Sequence, residues 1–198
     1  GGVQWTTAGR GIIHAEAPTK EFVKKDGDLE GIQLWLNLPA KDKMMMPNYQ
    51  HLEDEQIPKL FSEDKKVQLN IVAGNQNGKE GLITTQTEVN VFTVNADENG
   101  TLEIEIPENH QSLIYLLDGE ILVNGSETLQ KGENQMVTFH QDGNTIQFEA
   151  KSASTLLILS GAPIKEKVTQ YGPYVMNTQT EILEAMRDYQ QGKMGYLY

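Results

Sequence analysis

The chain has 198 residues, 38% of them apolar, enough for one large domain or two small ones with a buried core. Sixteen Lys and Arg against 28 Asp and Glu leave a formal charge of −12, which repels phosphate backbones and anionic bilayers and so disfavours direct binding to nucleic acid or membrane. There is no Cys, no apolar run of membrane-spanning length and no charged-then-apolar leader in GGVQWTTAGR, so disulfides and thiolate sites are out and a soluble cytoplasmic protein is expected.

In GRGIIHAEAP (9–18) an imidazole and a carboxylate lie two residues apart. In an extended chain, side chains at that spacing share a face, so His14 and Glu16 project together and Ile13 and Ala15 project the other way. Both residue types ligate metals, and the pair reads either as half of a metal site or as a satisfied structural pair. Gly9 and Gly11 permit a bend or a close approach beside it. Arg10 reads either as a guide for an acidic substrate or as one side of an ion pair.

IQLWLNL (32–38) alternates, with Ile32, Leu34, Leu36 and Leu38 on one face, and predicts a half-buried strand. Trp5 and Trp35 are expected in the core or in a barrel wall. Pro39 and Pro47 frame the loop PAKDKMMMPNYQHL (39–52), whose three methionines read as ordinary loop residues. EDEQIPKLFSEDKK (53–66) is charged and reads as a linker or exposed crossing.

From Val67 onward short strands recur at nearly even spacing. They are VQLNIVAG (67–74), VNVFTVN (89–95), TLEIEIP (101–107), SLIYLLD (112–118), EILVNG (120–125), MVTF (136–139), TIQFEA (145–150) and STLLILSG (154–161). Asp118-Gly119, Asn124-Gly125 and Asp142-Gly143-Asn144 supply tight turns between them. Many short strands joined in this way predict an all-β sandwich or small barrel. One helix closes the chain. Thr178 with Glu181 makes a capping box, Ile182, Ala185, Met186 and Tyr189 form an apolar stripe, and Gly192 is a stop.

Three stretches, VQWTTAGRGIIHAE (3–16), GIQLWLNLPAKDKMMMPNYQ (31–50) and GAPIKEKVTQYGPYVMNTQTEILEAMRDYQQGKMG (161–195), together resemble the pirin family of the cupin superfamily. The resemblance implies an all-β bicupin, with two cupin double-stranded β-helix (jelly-roll) barrels in tandem, the N-terminal one incomplete, and a C-terminal amphipathic helix. The expected boundaries are a partial N-terminal domain over 1–60, a C-terminal cupin domain over 66–160, and a tail over 161–198 with its helix at about 178–191. A barrel short of its first strands exposes backbone edges, which the tail helix or a homo-oligomer is expected to cover.

The resemblance also implies one metal, iron (Fe2+) or another divalent ion, held in the N-terminal barrel by three His and one Glu. Two of these positions fall on His14 and Glu16. The other two come, in the family, from a His-Pro-His segment upstream, which this chain is expected to lack. Two donors alone hold first-row metals weakly. His51, His110 and His140 are not expected to be ligands; position 112 is Ser where a cupin metal site wants His, so the C-terminal barrel is expected to be metal-free.

Three functional readings remain open. One is a quercetin 2,3-dioxygenase-type enzyme acting on a flavonol-like small molecule, with His14 a fixed ligand and Glu16 also the general base for the substrate hydroxyl. Another is a non-enzymatic regulator whose acidic surface steers a basic protein partner. The third is a truncated, metal-free paralogue.

Overall fold

The computed structural model describes residues 1–18, 20–24 and 29–197. Strands β1 (Val3–Thr7), β2 (Asn48–Leu52), β3 (Lys59–Phe61) and β4 (Val67–Ala73) are followed by the short β5 (Asn75–Gln76) and β6 (Lys79–Glu80). Next come β7 (Val89–Ala96), β8 (Thr101–Glu105), β9 (Gln111–Asp118), β10 (Glu120–Val123) and β11 (Glu127–Gln130). Then follow β12 (Met136–Thr138), β13 (Thr145–Ala150), β14 (Ser154–Gly161), β15 (Thr169–Tyr171) and β16 (Tyr174–Met176). Two helices are described, α1 (Lys20–Lys24) and α2 (Gln179–Gln190). None is long and apolar enough to cross a membrane.

Contacts divide the chain into two compact units, Gly1–Trp5 with Gln50–Pro163, and Thr6–Tyr49 with Ile164–Tyr198. The first unit is built on two antiparallel sheets, β12-β9-β14-β7-β4-β3 and β11-β10-β13-β8. Their facing sides bury one core, in which Phe92, Ile114, Leu116 and Ile158 of the larger sheet meet Ile104, Ile121, Leu129 and Phe148 of the smaller. The alternation in TIQFEA is therefore real: Ile146, Phe148 and Ala150 point inward and Thr145 and Gln147 outward. This unit is all-β, two sheets packed face to face, as expected.

VQLNIVA and STLLILSG are buried or half-buried at every position, because the larger sheet is covered on its outer side as well. There Leu52, Ile57 and Ile83 pack on Val72, Val91 and Leu157, with Val3 and Trp5 against them. The segment 53–66 is thus more than a linker: its Ile57 is buried, and it carries β3, which pairs with β4. Its many charges hid one anchoring side chain.

The turns follow the chemistry of their residues. Asn124 and Gly125 both take positive φ, 48° and 69°, between β10 and β11. At Gly119 (φ 90°) an added Cβ would collide with Ser154, so a side chain there is excluded twice over.

In the second unit, residues 32–38 form no strand, and Ile32, Leu34, Trp35 and Leu36 are exposed. Alternation marks a chain that can bury one face. A strand also needs a neighbour for its backbone, and among the described residues none pairs with this segment. The tail meets its expectation more fully. β15 and β16 form a hairpin, and α2 packs on it with Ile182 fully buried, Ala185 and Met186 half-buried, and Tyr189 exposed.

Candidate metal centre

Residues 12–18 follow a turn held from both sides: Arg10 N–H donates to the Met45 carbonyl and Gly11 N–H to that of Ala8, each at 2.9 Å. Gly9 (φ 52°) lies so close to the Met45 carbonyl that a Cβ would strike it, and Gly11 (φ 120°) is equally tight against the Met194 side chain. Gly9 is therefore required by close approach of backbone, and Gly11 by its positive φ. Met44 and Met46 are exposed, and Met45 serves the turn through its backbone. The Arg10 side chain is exposed and forms no ion pair among the described residues.

Beyond this turn residues 12–18 form neither helix nor strand. His14 Nδ1 stands 3.6 Å from Glu16 Oε1, and both side chains are about half exposed (50% and 56%). The two donors are side by side. A first-row divalent ion with open positions needs a face of at least three. Among the described residues no group of three or more His, Asp and Glu side chains is placed to hold a metal. His14 and Glu16 by themselves therefore do not fit a resident ion, and no chemical step is derived through one.

His51 shows how little the spacing alone decides. It has Glu53 two residues on, and Nε2 to Oε1 is 2.9 Å, a tighter pair than His14–Glu16. Its place on β2 and beside a 3₁₀ turn makes it a surface contact.

Next to the turn lies a network that neither stretch announces by itself. The Lys43 Nζ donates to Asn37 Oδ1 at 2.7 Å and to the Val175 carbonyl at 3.2 Å. Burial pulls its pKa down, while Glu166 and Glu181 nearby pull it back up. Glu166 Oε2 accepts from the Ala40 N–H at 2.7 Å and from Asn177 Nδ2 at 3.2 Å. The carboxylate thus caps the 3₁₀ turn Ala40–Asp42, whose Pro39 cap has no side-chain donor or acceptor to offer. LPAKDK and the tail are about 120 residues apart in sequence, yet they are bonded parts of one unit.

The C-terminal barrel holds a second polar cluster that sequence reasoning missed. His110, Asn90 and Ser160 are all buried, with Asn90 Nδ2 donating to Ser160 Oγ at 2.9 Å and His110 Nδ1 3.1 Å from the same oxygen. The available signal was Asn90 and Ser160, polar residues placed among the aliphatic ones of VNVFTVN and STLLILSG.

A two-sheet antiparallel barrel with this strand order and a helical tail defines a cupin. The family models narrow the class: "Pirin" matches residues 1–36 and "Pirin C-terminal cupin domain" residues 91–195. The chain belongs to the pirin family. It is 36% identical over 197 residues to a pirin-like protein of Solanum lycopersicum, covering 99% of this chain and 65% of that one. It is 35% identical to the pirin of Rattus norvegicus, covering 99% of this chain and 66% of that one. The crystal structure of a quercetin 2,3-dioxygenase from Acinetobacter baumannii superposes with a TM-score of 0.91 at 32% identity, over 100% of this chain and 68% of that one. The chain spans about two-thirds of the length of these relatives.

Proposed function

We propose that this chain carries part of the active centre of a metal-dependent, quercetin 2,3-dioxygenase-type pirin acting on a flavonol-like small molecule. The observation that supports it most is the 3.6 Å His14–Glu16 pair, in a segment matched by the pirin model and in a chain aligned end to end with a quercetin 2,3-dioxygenase. His14 and Glu16 are two of the donors to the divalent ion, Fe2+ in this reading, and a complete face needs at least one more. The ion would supply a docking point for the substrate oxygens and for O₂. With the ion bound, Glu16 would take the proton of the flavonol hydroxyl onto a carboxylate oxygen and His14 would remain a fixed ligand.

The test is metal content after Fe2+ loading, with quercetin consumption followed by absorbance. Wild-type protein with the further donors supplied is expected to retain metal and consume quercetin; His14→Ala is expected to lose both, and Glu16→Gln to lose turnover. Because both side chains are half exposed, thermal stability should change little in either variant. If His14→Ala leaves metal content and turnover of that protein unchanged, the reading fails.

A second reading, a protein-binding regulator, is supported by the charge of −12 and by the exposed Leu34, Trp35 and Leu36. Metal uptake without any loss of quercetin would favour it.

A further inference from the structure

The chain has three Asn-Gly pairs, Asn77-Gly78, Asn99-Gly100 and Asn124-Gly125. Each sets a side-chain amide carbon beside a backbone nitrogen that no neighbouring Cβ shields. All three asparagines are exposed and take positive φ, 50°, 61° and 48°. Their sequence gives them the same chemistry, and their hydrogen bonds separate them. Gly78 N–H donates to Asn75 Oδ1 at 3.2 Å. Gly100 is buried, and its N–H donates to the Asp97 carbonyl at 2.9 Å.

Asn124 and Gly125 are instead the central pair of a turn closed by the Ser126 N–H on the Val123 carbonyl at 3.1 Å. The peptide between them takes no part in that bond. Among the described residues neither the Asn124 carbonyl nor the Gly125 N–H has a partner. Both residues are exposed, and a Cβ on Gly125 would meet nothing within 4 Å. This peptide can therefore rotate and bring the Gly125 nitrogen to the Asn124 side-chain carbon without breaking a hydrogen bond. The side chain is held on its other side. Asn124 Oδ1 accepts the Gln147 N–H at 2.9 Å, while the Asn124 N–H donates to the Gln147 carbonyl at 2.8 Å. When a nucleophile adds to the amide carbon, negative charge develops on Oδ1, and the β13 N–H is a fixed donor to it. Among the described residues no backbone N–H serves Asn77 Oδ1 or Asn99 Oδ1 in this way.

We propose that Asn124-Gly125 is a self-modification site, where the folded chain converts Asn124 to aspartate and isoaspartate faster than it converts Asn77 or Asn99. The Gly125 nitrogen loses its proton to hydroxide and bonds to Asn124 Cγ. The Cγ–Nδ2 bond breaks, Nδ2 takes a proton from water and leaves as ammonia, and a succinimide remains. Water then opens the ring at either carbonyl, yielding Asp or isoAsp with nothing oxidised or reduced. Each product carries one carboxylate more than the parent chain. Asn124 lines a cavity of about 390 Å³ together with Glu127 and Asp142, so the new charge joins two others there. The proposal does not rest on the metal reading, since none of these residues belongs to that centre.

The experiment incubates the full wild-type chain at mildly alkaline pH, once folded and once in guanidinium chloride. Mass spectrometry follows the three Asn-Gly peptides, and chromatography separates their Asp and isoAsp forms. In the denaturant the three pairs are expected to convert at similar rates, because each is an asparagine followed by glycine. In the folded chain Asn124 is expected to lead the other two by about tenfold, the rate equivalent of the one hydrogen bond that Gly78 and Gly100 must first break. Folded Asn77 or Asn99 converting as fast as Asn124 would overturn the proposal. So would a lead of Asn124 that is just as large in the denaturant, since it would then owe nothing to the turn. No conversion at folded Asn124 over the time in which the denatured chain converts fully would overturn it as well.

Discussion

A side chain's role here depends on what stands around it more than on its type. His14-x-Glu16 and His51-x-Glu53 share a spacing, yet only the first lies behind the AGRG turn that the pirin resemblance singles out. The turn was legible, because two glycines flanking an arginine suggest a backbone that must bend or come close. The partners were not: Met45 and Met194 are supplied by distant segments. Lys43 makes the same point with energy attached. It is buried, and its ammonium serves Asn37 and Val175 while sitting near Glu166 and Glu181. Lys43→Met keeps the volume of the stem and leaves those acceptors without their donor. The expected cost is about 1–3 kcal/mol, read as a drop in the urea midpoint with an unchanged slope.

At the scale of elements, local signals succeed where the chain's own atoms supply every partner. The α2 cap is such a case: Thr178 Oγ1 accepts from the Glu181 N–H at 3.2 Å, and Glu181 Oε2 accepts from the Thr178 N–H at 2.7 Å. Thr178→Ala should cost about 1 kcal/mol, the usual worth of such a cap, with faster amide exchange in the first turn of α2. The bonds from Thr178 and Asn177 hold the Glu181 carboxyl below the usual glutamate range. A lowered acid pKa stabilises the fold above its unfolded value, so this contribution is present at neutral pH. It is lost as pH falls through the ordinary glutamate value and below it. Glu181→Gln should flatten that part of the acid limb in a stability-against-pH profile. Strands behave differently. IQLWLNL alternates more cleanly than STLLILSG, yet the second is the strand: Leu156 to Gly161 pair with β7 on one side and β9 on the other. Backbone pairing is a property of neighbours, and periodicity does not report it.

For the molecule as a whole, stability in the C-terminal barrel is concentrated between the two sheets. Phe148, on β13, is fully buried there with Phe92 opposite it in the same core. Phe148→Ala should cost about 3–5 kcal/mol by leaving a cavity that rigid strands cannot collapse. Against a typical domain stability of about 5–15 kcal/mol, that is a large shift in a urea or thermal melt. The all-β class, the turn positions and the capped tail helix follow from residues near one another in the chain, because alternation, Asn-Gly and Asp-Gly turns and an N-cap are local chemistry. The tertiary structure alone decided which apolar faces are covered, that Glu166 caps a turn at Ala40, and that Asn90, Ser160 and His110 meet in the barrel wall. Those contacts join residues 50 to 126 positions apart, and only the packing of the sheets and the tail brings such residues within hydrogen-bonding distance.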